Sequence, residues 1–439
     1  MEIVLKHMGE HNALSFELQQ QAPSLWHVQI HAPQELVQFI YQEAVKSLQH
    51  EVHAIGFVKG TVPFEYVEHN LKSTLNSHVK DFLLSFCVMS HLYNELRNRK
   101  IVVAGAPRLH AVDISLPNHA SFTFELSTLT PITLHDWKYF PFKAPKRKNY
   151  KDLDRQVELF IKEEKENLKN STNSSADIGD WVCCDIALAD QHNQPILGEF
   201  VESLWIKLGD EEADVSLRDI FMNKELHSQF ITQSPALQDY FSPHLAAKYN
   251  FIITIKDIIK DSFFCLEEFK RHFKLKTNKD LNLKLIEVFS YRNDLSLRRT
   301  MAEETLKLML AKHKFDAPMH TVLRQQQQLL NAIQMNPDYH VYRVQKDFKS
   351  SVKQLAEKQA KEALLIDHVA YQDNIFVGNN DVKSYLGLTQ RPRMKEFIYF
   401  EPIVSKQHGR EIPIPAYLLK QICLREKTLN HIIHHLTQK

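Results

Sequence analysis

Glycine is scarce: ten in 439 residues, against a usual ~7%. A backbone cradle for phosphates needs closely spaced glycines at a helix start. Neither G-x-G-x-x-G nor G-x-x-x-x-G-K-[ST] occurs, so a nucleotide-driven machine and a bound cofactor are not expected. Cysteine is also rare. Cys87, Cys183, Cys184, Cys265 and Cys423 form no C-x-x-C pair and no regular framework, which fits free thiols in a reducing cytosol. Net charge is only +1, so no global field favours nucleic acid or anionic lipid. No run of about 18 apolar residues is present, and MEIVLKHMGEHN has no signal-peptide core, so a cytoplasmic protein without a membrane partner is expected. On that reading the N-x-[ST] matches at Asn170 and Asn173 are chance. G-x-S-x-G and H-E-x-x-H are absent too, and nothing points to hydrolysis.

What is present is ordinary globular material, 44% hydrophobic and 24% charged, long enough for about three domains. Ile3, Val4 and Leu5 and then Leu25, Trp26, Val28 and Ile30 read as strands. Leu36, Val37, Ile40, Ala44, Val45 and Leu48 keep helical spacing after Pro33. A long helix is expected over 64–99, then strand elements at IVVAGAP (101–107) and SFTFEL (121–126). PFKAPKRKNYK (141–151) is a basic, proline-bearing linker. It is followed by a short amphipathic helix (151–169) and a polar run. Strand-rich sequence then extends from Trp181 to about Ile258, and from Leu266 the chain turns helical, with a turn at Phe315-Asp316-Ala317-Pro318.

Several constellations have bland readings. His431, His434 and His435 share a helical face, but no carboxylate or cysteine stands near them in sequence. A polar helix end is expected, and no metal. The basic run 143–151 could meet nucleic acid phosphate, although a solvated linker is the simpler reading. Gln325 to Gln328 continue a helix whose apolar face carries Leu323, Leu329, Leu330 and Ile333.

The loop Gly56-Phe57-Val58-Lys59-Gly60-Thr61-Val62-Pro63 is different. It presents apolar residues and a lysine where polar residues are usual. Such a tip suits a surface that combines a hydrophobic cleft with phosphates, as a ribosomal protein beside ribosomal RNA does. This loop resembles the tip motif of trigger factor, the ATP-independent bacterial chaperone of the ribosomal exit tunnel. Ala104-Gly105-Ala106-Pro107, the Phe122–Leu126 strand with Pro131, and the Phe315–Pro318 turn match the family in order and spacing. Two departures stand in the tip: the family's arginine is Val58 here, and its second lysine is Thr61.

The resemblance implies an α+β multidomain protein. Its expected parts are an α+β ribosome-binding domain (1–140), a linker with a short helix (141–176), a degenerate FKBP-like β-rich domain (177–260) and an all-α chaperone domain (261–439). It implies ribosome contact through Gly56, Phe57, Lys59 and Gly60. It also implies arms that hold nascent or unfolded chains, with client-contact candidates Leu306, Leu310, Leu329, Leu330 and Ile333, and with Met301 and Tyr342 as further apolar positions. The isomerase-like domain would sit at one end of these arms and the tip domain at the other. Whether the chain forms a homodimer stays open.

In the middle domain the family's prolyl isomerase holds a proline ring in a dry aromatic pocket. Here Ile186 takes the aromatic place after Asp185, Leu188 takes the glycine place, and the Ile-Pro-Gly-Phe-x-x-Gly segment is missing. Asp185, Phe200 and Trp205 are the residual pocket candidates. The expected function is therefore a holding chaperone. An active prolyl isomerase and a free cytosolic chaperone or scaffold that has lost the ribosome are the alternatives.

Overall fold

Sheet, helix and sheet alternate in an order that the apolar patterning dictates. The computed structural model describes residues 5–7, 14–22, 25–128, 132–146, 152–170, 175–261, 264–292, 295–334, 336–401, 406–407 and 409–438. Ile3, Val4, Pro131, Asn173 and residues 147–151 of the basic run lie outside them.

Strands β1 (Leu5–His7), β2 (Ser15–Ala22), β3 (Leu25–His31), β4 (Arg108–Ser115) and β5 (His119–Ser127) form an antiparallel sheet in the order β1-β2-β3-β5-β4. Period-two alternation puts Val28, Ile30, Phe122, Phe124 and Leu126 on its buried face. Against that face lie α1 (Gln34–Glu51) and a long helical rod. The rod is not the single regular helix expected over 64–99. It runs α2 (Phe64–Asn70), a break at Leu71, α3 (Lys72–Leu83), a π-helical turn at Leu84–Val88, then α4 (Met89–Asn98). A π turn inserts one extra residue and rotates the apolar stripe. As a result Phe86, Cys87 and Val88 are all buried in succession. Residues 101–107 are also not a strand. They make a turn with one bridge, Val103 to Thr128, and the strand begins at Arg108.

Helix α5 (Leu153–Asn170) precedes the second sheet, built from β6 (Trp181–Ala189), β7 (Glu202–Lys207), β8 (Gln229–Thr232) and β9 (Asn250–Ile259). Helices α6 (Val215–Phe221) and α7 (Pro235–Phe241) pack on it. The order is β7-β6-β9-β8, and beyond β7 an antiparallel edge is added by Ile414–Pro415, which pair with Trp205 and Leu204. A segment about 200 residues downstream thus completes this sheet.

The remaining helices are α8 (Leu266–His272), α9 (Asn278–Phe289), α10 (Leu297–Lys312), α11 (Met319–Gln334), α12 (Tyr339–Arg343), α13 (Phe348–Gln372), α14 (Asn379–Gln390) and α15 (Ala416–Thr437). A capping box between Thr277 and Asp280 starts α9. The hydrophobic run from Asn282 to His313 is not continuous helix, because a tight antiparallel pair, Tyr291–Arg292 with Leu295–Ser296, divides α9 from α10. Leu306, Met309, Leu365, Val369, Leu429 and Ile432 make the core of the bundle. Two buried ion pairs brace it. Arg298 approaches Glu426 at 3.5 Å, and Arg425 grips Asp367 with both nitrogens at 2.9 and 2.7 Å.

The units are not spread along arms. One face of the second sheet (Val182, Cys184, Ile186, Leu204, Ile206) joins the core of the first sheet and its helices. The other face (Trp181, Trp205) joins a core with Leu285, Tyr385, Phe397, Ile414 and Leu419 of the helical unit. The expected separation of the tip unit from the middle unit is corrected by this sandwiching.

Candidate functional site

The opening loop joins α1 to α2. Gly56 and Gly60 have φ of +93° and +86°, a region that residues with a Cβ enter at a cost. Each glycine reverses the chain once. The Phe57 amide donates to the Ala54 carbonyl, and the Thr61 amide and hydroxyl both donate to the Val58 carbonyl at 3.0 and 2.8 Å. Gln49 donates to the Val62 carbonyl at 3.0 Å and ties the loop's exit to α1. Two of the loop's backbone donors are thus spent inside it, and the side chains between the glycines face outward. Ile55 and Lys59 are exposed, Val58 is 74% exposed, and Phe57 is 41% exposed with its ring 5.6 Å from Tyr66. Phe57 leans on its own hairpin with one edge and offers the other to solvent. Thr61 caps the turn, a local use that a lysine there would not have.

The AGAP turn holds the base of an arm. The Thr321 hydroxyl donates to the Ala104 carbonyl at 3.0 Å, and the Arg324 guanidinium donates to the Ala106 carbonyl at 3.1 Å. Gly105, at φ +91°, has no room for a Cβ beside Thr321. From there α11 and α13 run as a hairpin with a thin core of Val322, Ala356 and Ala360. At its far end the apolar side chains are bare: Val341 is 61% and Val344 75% exposed, and Tyr342 is exposed beside them. His340, Arg343, Lys346 and Lys349 stand near them in the chain, all exposed, with Asp338 and Asp347 exposed at either side.

This redistributes the client-contact candidates. Leu306 is fully buried in the bundle core, as is Met301, because both face α13 and α15. Leu310 is half-buried against that same core and Leu329 against the hairpin's own. Leu330 and Ile333 are half-buried on the hairpin. Val341 and Val344 are not among the candidates, because α12 is too short to show a period in the sequence.

The pocket candidates are not brought together. Asp185 accepts from the Ser203 hydroxyl at 2.6 Å and pairs with Lys256 at 3.2 Å. Trp205 lies on the same face of the sheet, buried against the helical unit. Phe200 lies on the opposite face. There the aromatic side chains Phe200 and Phe241 are covered by Phe86 of the π turn, at 6.2 and 5.2 Å between ring centres.

A polar network ties this junction. Tyr249 donates its hydroxyl proton to the Ile40 carbonyl at 3.2 Å. His78 Nε2, 2.8 Å from that oxygen, therefore carries the ring proton and donates, while Nδ1 accepts from Ser242 at 2.9 Å. Burial pushes the His78 imidazole down to about 4, and the nearby His244 adds to the shift.

Among the described residues no group of three or more histidine, cysteine or acidic side chains could hold a metal ion. His431 instead meets Asp373 at 2.8 Å. Among the described residues no helix is long and apolar enough to cross a membrane.

Comparison with known proteins gives the family. Residues 14–161 match the family model for bacterial trigger factor protein, and residues 277–393 match the model for the trigger factor C-terminus. Between them lie 162–276, which hold the second sheet. A trigger factor of Geobacter metallireducens is 21% identical over 92% of this chain and 93% of its own length. Those of Desulfatibacillum aliphaticivorans and Rickettsia massiliae are 20% and 18% identical over similar spans. A solved structure on substrate recognition by the trigger factor chaperone matches over 96% of this chain and 100% of its own at 13% identity, with a TM-score of 0.37. With both terminal models matched in order and relatives aligned nearly end to end, the chain belongs to the trigger factor family.

Proposed function

We propose that this chain docks on the ribosome through the Gly56–Gly60 tip and holds unfolded segments on the far end of the α11–α13 hairpin, without prolyl isomerase activity. The family membership carries the chaperone function: a ribosome-associated, ATP-independent assistant of folding. The observation that supports the docking half is the outward display of Phe57, Val58 and Lys59 by two left-handed glycines. A phenylalanine and a lysine suit a protein cleft beside phosphate. Contact with ribosomal protein and RNA in the cytoplasm is part of this reading.

The holding half is supported by bare valines and a tyrosine on a projecting helix pair, an apolar surface that self-contained domains seldom leave uncovered. Basic residues around it favour segments with acidic flanks. Against isomerase chemistry stands the geometry of the second sheet, where Asp185 and Trp205 face away from Phe200.

Co-sedimentation with ribosomes tests the docking half. Wild type should pellet in a salt-sensitive way and the F57A/K59A double variant should not. If both pellet equally, the tip is not the dock. A peptide isomerisation assay tests the absence of isomerase activity, and a catalysed rate that falls on F200A would overturn it.

A further inference from the structure

The junction between the long helical rod and the second sheet is built with a defect. Phe82 and Phe86 of the rod cover an aromatic wall of the second unit. Phe82 lies 4.7 Å from Tyr249 and 5.6 Å from Phe241, and Phe251 stands behind Phe241 at 6.0 Å. Beside this apolar contact sits Glu202, fully buried, with the Ser90 hydroxyl of the rod as its one neutral donor at the edge of hydrogen-bond reach. The groups on its side of the sheet are Cys87 and Ser90 from the rod, Cys184 from β6, Tyr240 from α7 and Tyr417 from α15, and Asp185 acts on it from the other face of the sheet. None is a cation. A buried carboxylate without a cationic partner is costly when charged and tolerable when protonated. The rod is also irregular at this contact, where the π turn Leu84–Val88 delivers Phe86.

We propose that the junction is a latch: the rod's phenylalanines shut an aromatic cleft on the second unit, and ionisation of Glu202 releases them, offering that cleft to aromatic-bearing segments of unfolded chains. This rests on the chaperone reading above. Burial pushes the Glu202 carboxyl up to about 8, with Ser90 opposing the shift and Asp185 adding to it. A raised carboxyl makes the closed contact strongest below the ordinary value near 4.5 and weakens it as pH rises through about 8. His78, held low, stays neutral across the upper part of that range. The exposed pair His244–Asp81, 2.6 Å apart at the rim, is unchanged between the variants below.

The test is amide hydrogen exchange on the full chain, corrected for intrinsic rates, at about pH 6.5 and about pH 8.5. Protection of 82–91 and 237–253 should fall about tenfold or more in wild type and stay constant in E202Q and E202L, with α13 and α15 unchanged in all three. E202L guards against a misfolded glutamine variant. A phenylalanine-rich peptide carrying a fluorophore should bind wild type more tightly at the higher pH and E202L equally at both. Constant protection in wild type, or an equal loss in E202L, overturns the latch. Opening without peptide binding overturns the cleft's role. Aggregation suppression by V341D/V344D at the lower pH reports on the arm alone, so failure of the chaperone reading shows separately.

Discussion

At the scale of single residues, the tip shows how much two positions decide. Val58 is exposed on the tip, so if the tip docks as proposed, V58R should tighten ribosome binding and steepen its salt dependence by about one unit of log slope. Co-sedimentation across a salt series reads both effects. His78 gives a second expectation. Its imidazole is neutral in the fold down to about 4 and charges near 6.5 when released. The unfolded chain therefore binds the extra proton in that interval, and stability is lost as pH falls from about 6.5 to about 4, by an amount on the order of 3 kcal/mol. Urea midpoints of wild type and H78Q should diverge in slope over this range. Glu202 acts with the opposite sign, so the two slopes oppose each other between about 4.5 and 6.5. Gly56 and Gly60 were legible in the sequence, because turn chemistry is local. Glu202 and His78 were not, because burial between distant segments leaves no periodic trace in either.

At the scale of elements, apolar spacing gave α1, β3, β5 and α15 nearly as they stand. It failed on β4, whose residues from Arg108 to Ala111 are exposed on an edge strand and carry no alternation. It failed again at the π turn, since a fixed 3.6-residue period cannot register an inserted residue. The hairpin of α11 and α13 is the element on which the proposed holding surface stands. Its helices touch through Ala356 and Ala360, both buried. A360L should overfill this contact and destabilise the hairpin by about 1–3 kcal/mol, visible as faster hydrogen exchange confined to α11 and α13. V341D/V344D alters only exposed side chains, so it should leave the thermal midpoint in place while weakening the suppression of client aggregation several-fold. An unchanged suppression curve would move the holding surface elsewhere.

At the scale of the whole molecule, the second sheet is a shared wall between the tip unit and the helical bundle. That arrangement was not legible in the sequence. Alternating buried residues on both faces of β6, as at Val182 and Cys184 against Trp181, mark a two-sided strand but do not say what covers each side. The bundle is braced by the Arg298–Glu426 pair, in which Glu426 also accepts from the Tyr399 and Phe400 amides at 2.9 and 3.1 Å. R298M removes the cation and leaves the carboxylate buried. It should cost about 3–5 kcal/mol, with R298M/E426L recovering much of the loss in denaturant titrations.

The pairing of Ile414–Pro415 with Trp205 and Leu204 has a consequence in time. Synthesis is vectorial, so β7 leaves the ribosome about 200 residues before its edge partner. At the ~5–20 residues per second of translation, its outer edge waits ten seconds or more on the order of magnitude. During that wait this chaperone is itself a nascent chain with an open sheet edge, the kind of surface that a finished copy of the same protein is made to guard.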